Sequence, residues 1–147
     1  MRSGGRRAYF AYGSNTVREI MRTRAPGASF VCSARLDHFQ WVIAENGYAS
    51  VAPKSGSAVF GLLWTITARD KLGLDLAEGV QIGAYVKRSR EVITQCGKTL
   101  SALTYEVPSL KVGRRPQRGY VEEIITALTS DEFVPVAYLQ ELASWLR

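Results

Sequence analysis

The residues best equipped for chemistry fall in two places. The first is Tyr12-Gly13-Ser14-Asn15, a turn between a short β-prone run and a helical stretch. A strand feeding through such a turn into a helix exposes backbone N–H groups at the helix N-terminus, and these suit a carboxylate or a developing oxyanion. Gly13 lets a ligand approach the backbone closely. The same composition also makes an ordinary capped turn, and spacing alone favours that reading. The second place is Glu78, in Leu74-Asp75-Leu76-Ala77-Glu78-Gly79-Val80, where a short helix gives way to a strand. A carboxylate flanked by apolar residues can have a raised pKa and act as a general base. Asp75, three residues earlier on the same helical face, is a rival for that role. Tyr12, Tyr85, Tyr105 and Tyr120 fall on strands or loop edges, where a tyrosine offers an apolar wall with one polar tip. Core packing explains any one of them equally well. His38, the only histidine, follows Asp37 on an expected turn, and no Gly-x-Ser-x-Gly elbow accompanies it. One histidine without clustered carboxylates gives no metal site.

The elements that must position these groups follow from periodicity and turn chemistry. Residues 8–12 read as a strand ending at Gly13. Ser14 or Asn15 then caps a helix over 16–23, with Val17, Ile20 and Met21 as its buried stripe, stopped by Arg24-Ala25-Pro26-Gly27. Strands are expected over 29–36, 39–44, 48–52 and 57–66, separated by turns that include Glu45-Asn46-Gly47 and Pro53-Lys54-Ser55-Gly56. The run 57–66 is the most apolar and reads as central, buried on both faces. Thr67-Ala68-Arg69-Asp70 has the form of a capping box opening a helix that carries Leu72, Leu74 and Leu76 and ends at Glu78-Gly79, with Gly79 in a left-handed cap. Strands over 84–94 and 98–107 join through Gln95-Cys96-Gly97. A basic loop over 111–119 leads to two amphipathic helices. Val121, Ile124, Ile125 and Leu128 mark the first; Val136, Leu139, Leu142 and Leu146, with Pro135 in the first turn, mark the second.

A chain of 147 residues, 46% hydrophobic and 22% charged, holds one domain with a proper core. Residues 1–7 read as a frayed end and 8–147 as a single mixed α/β domain, with strands in the middle and helices at the C-terminus. No apolar run is long enough to cross a membrane, and the basic N-terminus lacks the apolar core of a secretory signal. Cys32 and Cys96 have no paired-motif spacing, so neither a disulfide framework nor a zinc site is expected, and a cytoplasmic setting is the default. The net charge of +6 is concentrated in Arg2, Arg6 and Arg7; in Arg18, Arg22 and Arg24; and in Lys111, Arg114, Arg115 and Arg118. Such charge can track phosphates, or it can form a solvated face that attracts small anions. With no nucleic-acid motif present, the second reading is preferred.

Taken together, Tyr9-Phe10-Ala11-Tyr12-Gly13-Ser14-Asn15, Arg24-Ala25-Pro26, Val59-Phe60-Gly61-Leu62-Leu63-Trp64, Leu74-Asp75-Leu76-Ala77-Glu78-Gly79 and Pro116-Gln117-Arg118-Gly119-Tyr120 resemble the γ-glutamylcyclotransferase family, within the wider AIG2-like and γ-glutamylamine cyclotransferase-like group. The resemblance is collinear over nearly the whole chain. It implies a small mixed α/β fold around a closed or nearly closed sheet, and a reaction in which the α-amine of a γ-glutamyl substrate attacks its own γ-carbonyl, releasing 5-oxoproline and a free amine. Glu78 matches the family's catalytic glutamate. Tyr12, Gly13, Ser14 and Asn15 match its substrate-holding loop, and Tyr85, Tyr105 and Tyr120 match tyrosines of its pocket. No cofactor or metal is implied, and the partner is a small γ-glutamyl peptide, amine or protected metabolite. Thr16 departs from the family, where an apolar residue often follows the loop, so the helix start is expected to pack differently. An inactive binding module of the same fold, and a basic nucleic-acid binder, are the competing readings; a homodimer is left open.

Overall fold

The computed structural model describes residues 6–146. Five strands close into a barrel in the order β1-β3-β2-β4-β5: β1 Arg7–Ala11, β2 Ser29–Ile43, β3 Ala49–Ile66, β4 Val86–Thr94 and β5 Thr99–Glu106. Neighbours are antiparallel except β1 and β5, which run parallel, with Tyr9 opposite Leu103. Closure removes the sheet edges and makes the barrel mixed. Of the expected frayed segment 1–7, residues 1–5 lie outside the described residues. Arg6 donates to the carbonyl of Gly27, and Arg7 opens β1.

The run 57–66 is central as expected, pairing with β1 on one side and β2 on the other. Val59, Leu62, Leu63 and Ile66 are buried there. Gly61 is required by the close pairing, because a Cβ at that position would sit 2.2 Å from the Ala11 carbonyl oxygen. The expected breaks at Asp37-His38 and at 53–56 do not end strands. β2 and β3 are each continuous, and the register jumps from Asp37↔Ala58 to Phe39↔Pro53, leaving residues 54–57 opposite His38 alone. His38 takes φ 67° and Gly56 φ 83°, so the turn chemistry is spent on an irregularity within one long hairpin. Beyond it, the outer half of the hairpin reaches the barrel end where β1 finishes, and Trp41 Nε1 donates to the Tyr12 carbonyl at 2.9 Å.

The helices are α1 Arg18–Arg24, α2 Ala68–Ala77, α3 Tyr120–Thr129 and α4 Val136–Ala143. Ser14 and Asn15 do not cap α1. Ser14–Thr16 forms a separate 3-10 turn, and Val17, in extended conformation, precedes the helix without a side-chain cap. Thr16, the departure noted in the sequence, is buried and closes that turn by donating its hydroxyl to the Gly13 carbonyl at 2.6 Å. The capping box at α2 forms as expected: Asp70 N donates to Thr67 Oγ1 and Thr67 N to Asp70 Oδ2. Of its three leucines only Leu74 is buried, since Leu72 and Leu76 are 68% and 72% exposed. Val121, Ile124 and Leu128 form the buried face of α3. On α4, Tyr138 and Leu142 turn inward while Val136 is exposed, and Pro135 is the N-cap residue rather than lying in the first turn.

One contact between helices positions the chemistry. Gly73, inside α2, lies so close to the end of α1 that a Cβ there would sit 2.2 Å from the Arg24 carbonyl oxygen. Asp70 Oδ1 accepts from Gly27 N at 2.9 Å just beyond. These contacts bring the C-terminal end of α1 against α2. Helix propensity alone makes alanine at position 73 stabilising by about 1 kcal/mol. The clash reverses that sign, because overpacking costs about 1–3 kcal/mol. Gly73→Ala is therefore expected to lower the urea midpoint; a raised midpoint would show that the two helices are not held this closely.

Candidate active site

At the barrel end, one cavity of about 220 Å³ is lined by all eight residues singled out from the sequence: Tyr12, Gly13, Ser14, Asn15, Glu78, Tyr85, Tyr105 and Tyr120. Tyr9, Arg24, Tyr48, Ala49 and Ala77 complete the wall. Six of the chain's seven tyrosines therefore face this one space. The volume suits a group the size of an amino-acid side chain with its head, rather than a whole peptide.

Each wall residue is held by an identifiable element. Tyr9 lies on β1 and Tyr12 just beyond its end; Tyr105 is on β5, edge-on to Tyr9 with ring centroids 5.7 Å apart. Tyr85 precedes β4, and Tyr120 opens α3 after Gly119 in the left-handed region. Ala49, the first residue of β3, ties the far wall together. Its N–H donates to the Tyr120 hydroxyl at 3.1 Å, and its carbonyl accepts from the Tyr85 hydroxyl at 2.9 Å. Glu78 is the C-cap residue of α2, and Gly79 reverses the chain with φ 67°. A Cβ at Gly13 would meet the Tyr120 oxygen at 2.8 Å, so glycine is what lets the loop lie against that hydroxyl.

The rival carboxylate is already engaged. Asp75 accepts from Lys87 Nζ at 2.8 Å and from the Tyr105 hydroxyl at 2.5 Å, and it does not line the cavity. Glu78 is different. Its side chain is only 16% exposed, and its closest charged partner is Arg24, Nη1 to Oε2 at 3.7 Å. That separation is longer than a charge-assisted hydrogen bond. Arg24 is held by Asn15, whose Oδ1 accepts from Nη1 at 3.0 Å, while Asn15 Nδ2 donates to the Tyr9 hydroxyl at 2.8 Å. Asn15 is buried, so its contribution is to orient Arg24 and Tyr9.

The hydroxyl partners sort five of the six cavity tyrosines into two sets; the sixth, Tyr48, is 42% exposed and its hydroxyl has no protein partner among the described residues. Tyr12 donates to the Tyr105 carbonyl, Tyr85 to Ala49 O and Tyr105 to Asp75, so their protons are committed. Tyr9 and Tyr120 accept from Asn15 and from Ala49 N, which leaves each one proton free to donate into the cavity. Burial holds the Tyr9 hydroxyl well above the ordinary phenol range, and pushes Tyr120 up to about 12. Both stay protonated at neutral pH. Among the described residues, the N–H groups of Ser14 and Asn15 donate to no protein acceptor.

Other residues weighed in the sequence lie elsewhere. His38 is exposed on the β2 irregularity, and Cys32 and Cys96 are free thiols outside the cavity. No group of three or more potential metal ligands occurs among the described residues. Nor do the arginine clusters act as units: Arg7 donates to Ser89 Oγ, Arg18 stacks over Phe30 at 4.2 Å, and Arg24 enters the cavity. Arg24 and Tyr9 were the residues missed. Both sit within motifs visible in the sequence, but only the packing of α1 on α2 and of β1 beside β5 directs them to Glu78.

Comparison with known proteins follows the same lines. The barrel superposes on the solved structure of a gamma-glutamyl cyclotransferase with a TM-score of 0.86 at 28% identity, covering 95% of this chain and 88% of that one. Gamma-glutamylcyclotransferases of Homo sapiens and Mus musculus are each 30% identical over 144 residues, or 91% of this chain and 76% of the relative. The AIG2-like family matches residues 58–142. The fold is thus that of the γ-glutamylcyclotransferases, a closed five-stranded barrel with four helices. The chain belongs to the AIG2-like, γ-glutamylcyclotransferase family.

Two opposed effects set the proton affinity of Glu78. Burial raises its pKa and Arg24 lowers it, with burial the larger. A carboxyl with a folded-state pKa above its unfolded value binds more protons when folded, so its contribution to stability falls as pH rises through that window. Glu78→Gln, uncharged throughout, is expected to melt above the wild type at neutral pH, with the gap vanishing below the ordinary glutamate pKa of about 4.3. A Gln variant that melts lower at neutral pH would contradict a desolvated carboxylate at this position.

Proposed function

We propose that the protein is a γ-glutamyl cyclotransferase in which Glu78 moves the protons. The observation that carries this reading is a desolvated carboxylate without a close hydrogen-bond partner, facing a small cavity that contains free hydroxyl donors. The substrate brings its own nucleophile. Its α-amino nitrogen attacks its γ-carbonyl carbon, a C–N bond closes the five-membered ring, and the carbonyl electrons become an oxyanion. The oxyanion then collapses and expels the leaving amine.

Glu78 takes a proton from the α-ammonium, freeing the lone pair that attacks, and returns it to the leaving nitrogen. A raised pKa suits both halves of that exchange, since the group is a stronger base when ionised and remains a competent acid when protonated. The free protons of Tyr9 and Tyr120, with the loop N–H groups of Ser14 and Asn15, are suitable donors for the developing oxyanion. Folding the extended γ-glutamyl chain into a cyclising shape supplies much of the rate, because oriented intramolecular reactions reach effective molarities of about 10⁵ M or more. Tyr12, Tyr85 and Tyr105, whose protons are committed, serve as rigid walls that impose that shape.

Ser14 is the one aliphatic hydroxyl in the wall. The histidine that would activate it is absent from the lining, so an acyl-enzyme route has less support than direct cyclisation. The test is 5-oxoproline release from a panel of γ-glutamyl peptides and amines. Glu78→Gln is expected to fold and to bind substrate while turnover falls by about 10²-fold or more. Near-wild-type turnover in that variant would remove Glu78 from the mechanism. Binding without any 5-oxoproline from the wild type would favour the inactive binding module.

A further inference from the structure

The cavity wall carries two formal charges, Arg24 and Glu78, and they are held apart. Nη1 of Arg24 is fixed by Asn15 Oδ1 at 3.0 Å and stops 3.7 Å short of Glu78 Oε2. The Nε and Nη2 donors of Arg24 have no acceptor among the described residues, its side chain is 30% exposed, and it lines the cavity. A guanidinium that could close onto a buried carboxylate normally does so, since partial burial makes the pair strong and the unpaired state costly. Here the Asn15 bond restrains the guanidinium, although Gly73 lets the two helices approach closely.

We propose that Arg24 binds the α-carboxylate of the substrate, with Glu78 meeting the α-ammonium on the same carbon. This rests on the cyclotransferase reading above and extends it by naming what selects the glutamyl half. An amino-acid head is a cation and an anion on one carbon, and the Glu78–Arg24 pair presents the matching anion and cation side by side. Seating that head accounts for both free Arg24 donors, which face a carboxylate as a planar fork. It also settles how the remaining donors are shared. With the α-carboxylate on Arg24, the loop N–H groups and the free protons of Tyr9 and Tyr120 are left for the γ-carbonyl oxygen. The site then discriminates on the head of the substrate and leaves the amine portion at the mouth beside half-exposed Tyr48.

The experiment compares γ-glutamyl-alanine with 4-aminobutanoyl-alanine, which keeps the attacking amine and the carbonyl but lacks the α-carboxylate and would cyclise to 2-pyrrolidinone. Wild-type protein is expected to prefer the first by about 10- to 100-fold in kcat/KM, the range of hydrogen bonds to a charged group. Arg24→Met should lose that preference, mainly through a higher KM for γ-glutamyl-alanine, while any change in kcat from the altered proton affinity of Glu78 is shared by the two compounds. Arg24→Lys should recover part of it. Equal losses on both compounds would show that Arg24 only supports Glu78 or the fold, and no loss on either would show that it does nothing; each result overturns the proposal. Calorimetric binding of the same two compounds to wild type and Arg24→Met gives a readout independent of turnover. A preference in binding that Arg24→Met abolishes supports the carboxylate site even if no cyclic product forms, and the absence of any such preference overturns it.

Discussion

A carboxylate withdrawn from water must be paired, hydrogen-bonded or protonated, and Glu78 is allowed none of these completely. Its cavity is walled by tyrosine rings, the nearest cation stands 3.7 Å away, and burial outweighs that cation in setting its proton affinity. Everything around it maintains this incomplete compensation. Asn15 restrains Arg24, Gly73 fixes the helix that carries Glu78 against the helix that carries Arg24, and Lys87 is paired with Asp75 outside the cavity. A poised proton acceptor is the chemical consequence. The stability given up at Glu78 is consistent with a site kept for function rather than for folding.

The barrel supplies the rigidity. β1 and β5 run parallel and finish at the same end, which sets Tyr9, Tyr12 and Tyr105 beside one another. The long β2–β3 hairpin, irregular where His38 faces residues 54–57, brings Trp41 and Ala49 to that same end. Three of the tyrosine hydroxyls are spent on carbonyl or carboxylate acceptors within the wall. Tyr9 and Tyr120 instead accept, from Asn15 and from the N–H of Ala49, and so keep a proton free. Wall and donor roles are thus divided by backbone placement, not by residue type.

Local chemistry was readable in the sequence and long-range packing was not. The capping box at Thr67 and Asp70, the left-handed Gly79 and the buried run 57–66 all formed as read, because each depends on residues a few positions apart. The turn signal at 53–56 was real but misassigned. Nothing local says that β2 will hold β3 in register on both sides of it. The leucines of α2 gave no sign of its buried face, because that helix buries one leucine and two aspartates, whose partners include residues far along the chain. Arg24 looked like part of a surface cluster until α1 met α2. Residue chemistry nominated the eight positions, the family resemblance set Glu78 above its rival Asp75, and the structure supplied the relation between them that sequence spacing could not.

The central claim is that the γ-acyl group passes to the substrate's own amine and not to water. Reaction of a γ-glutamyl peptide in H₂¹⁸O, with products weighed by mass spectrometry, tests it directly. Cyclisation predicts 5-oxoproline with no ¹⁸O and one equivalent of released amine. Free glutamate carrying ¹⁸O in its γ-carboxyl would mean hydrolysis, and would contradict the account.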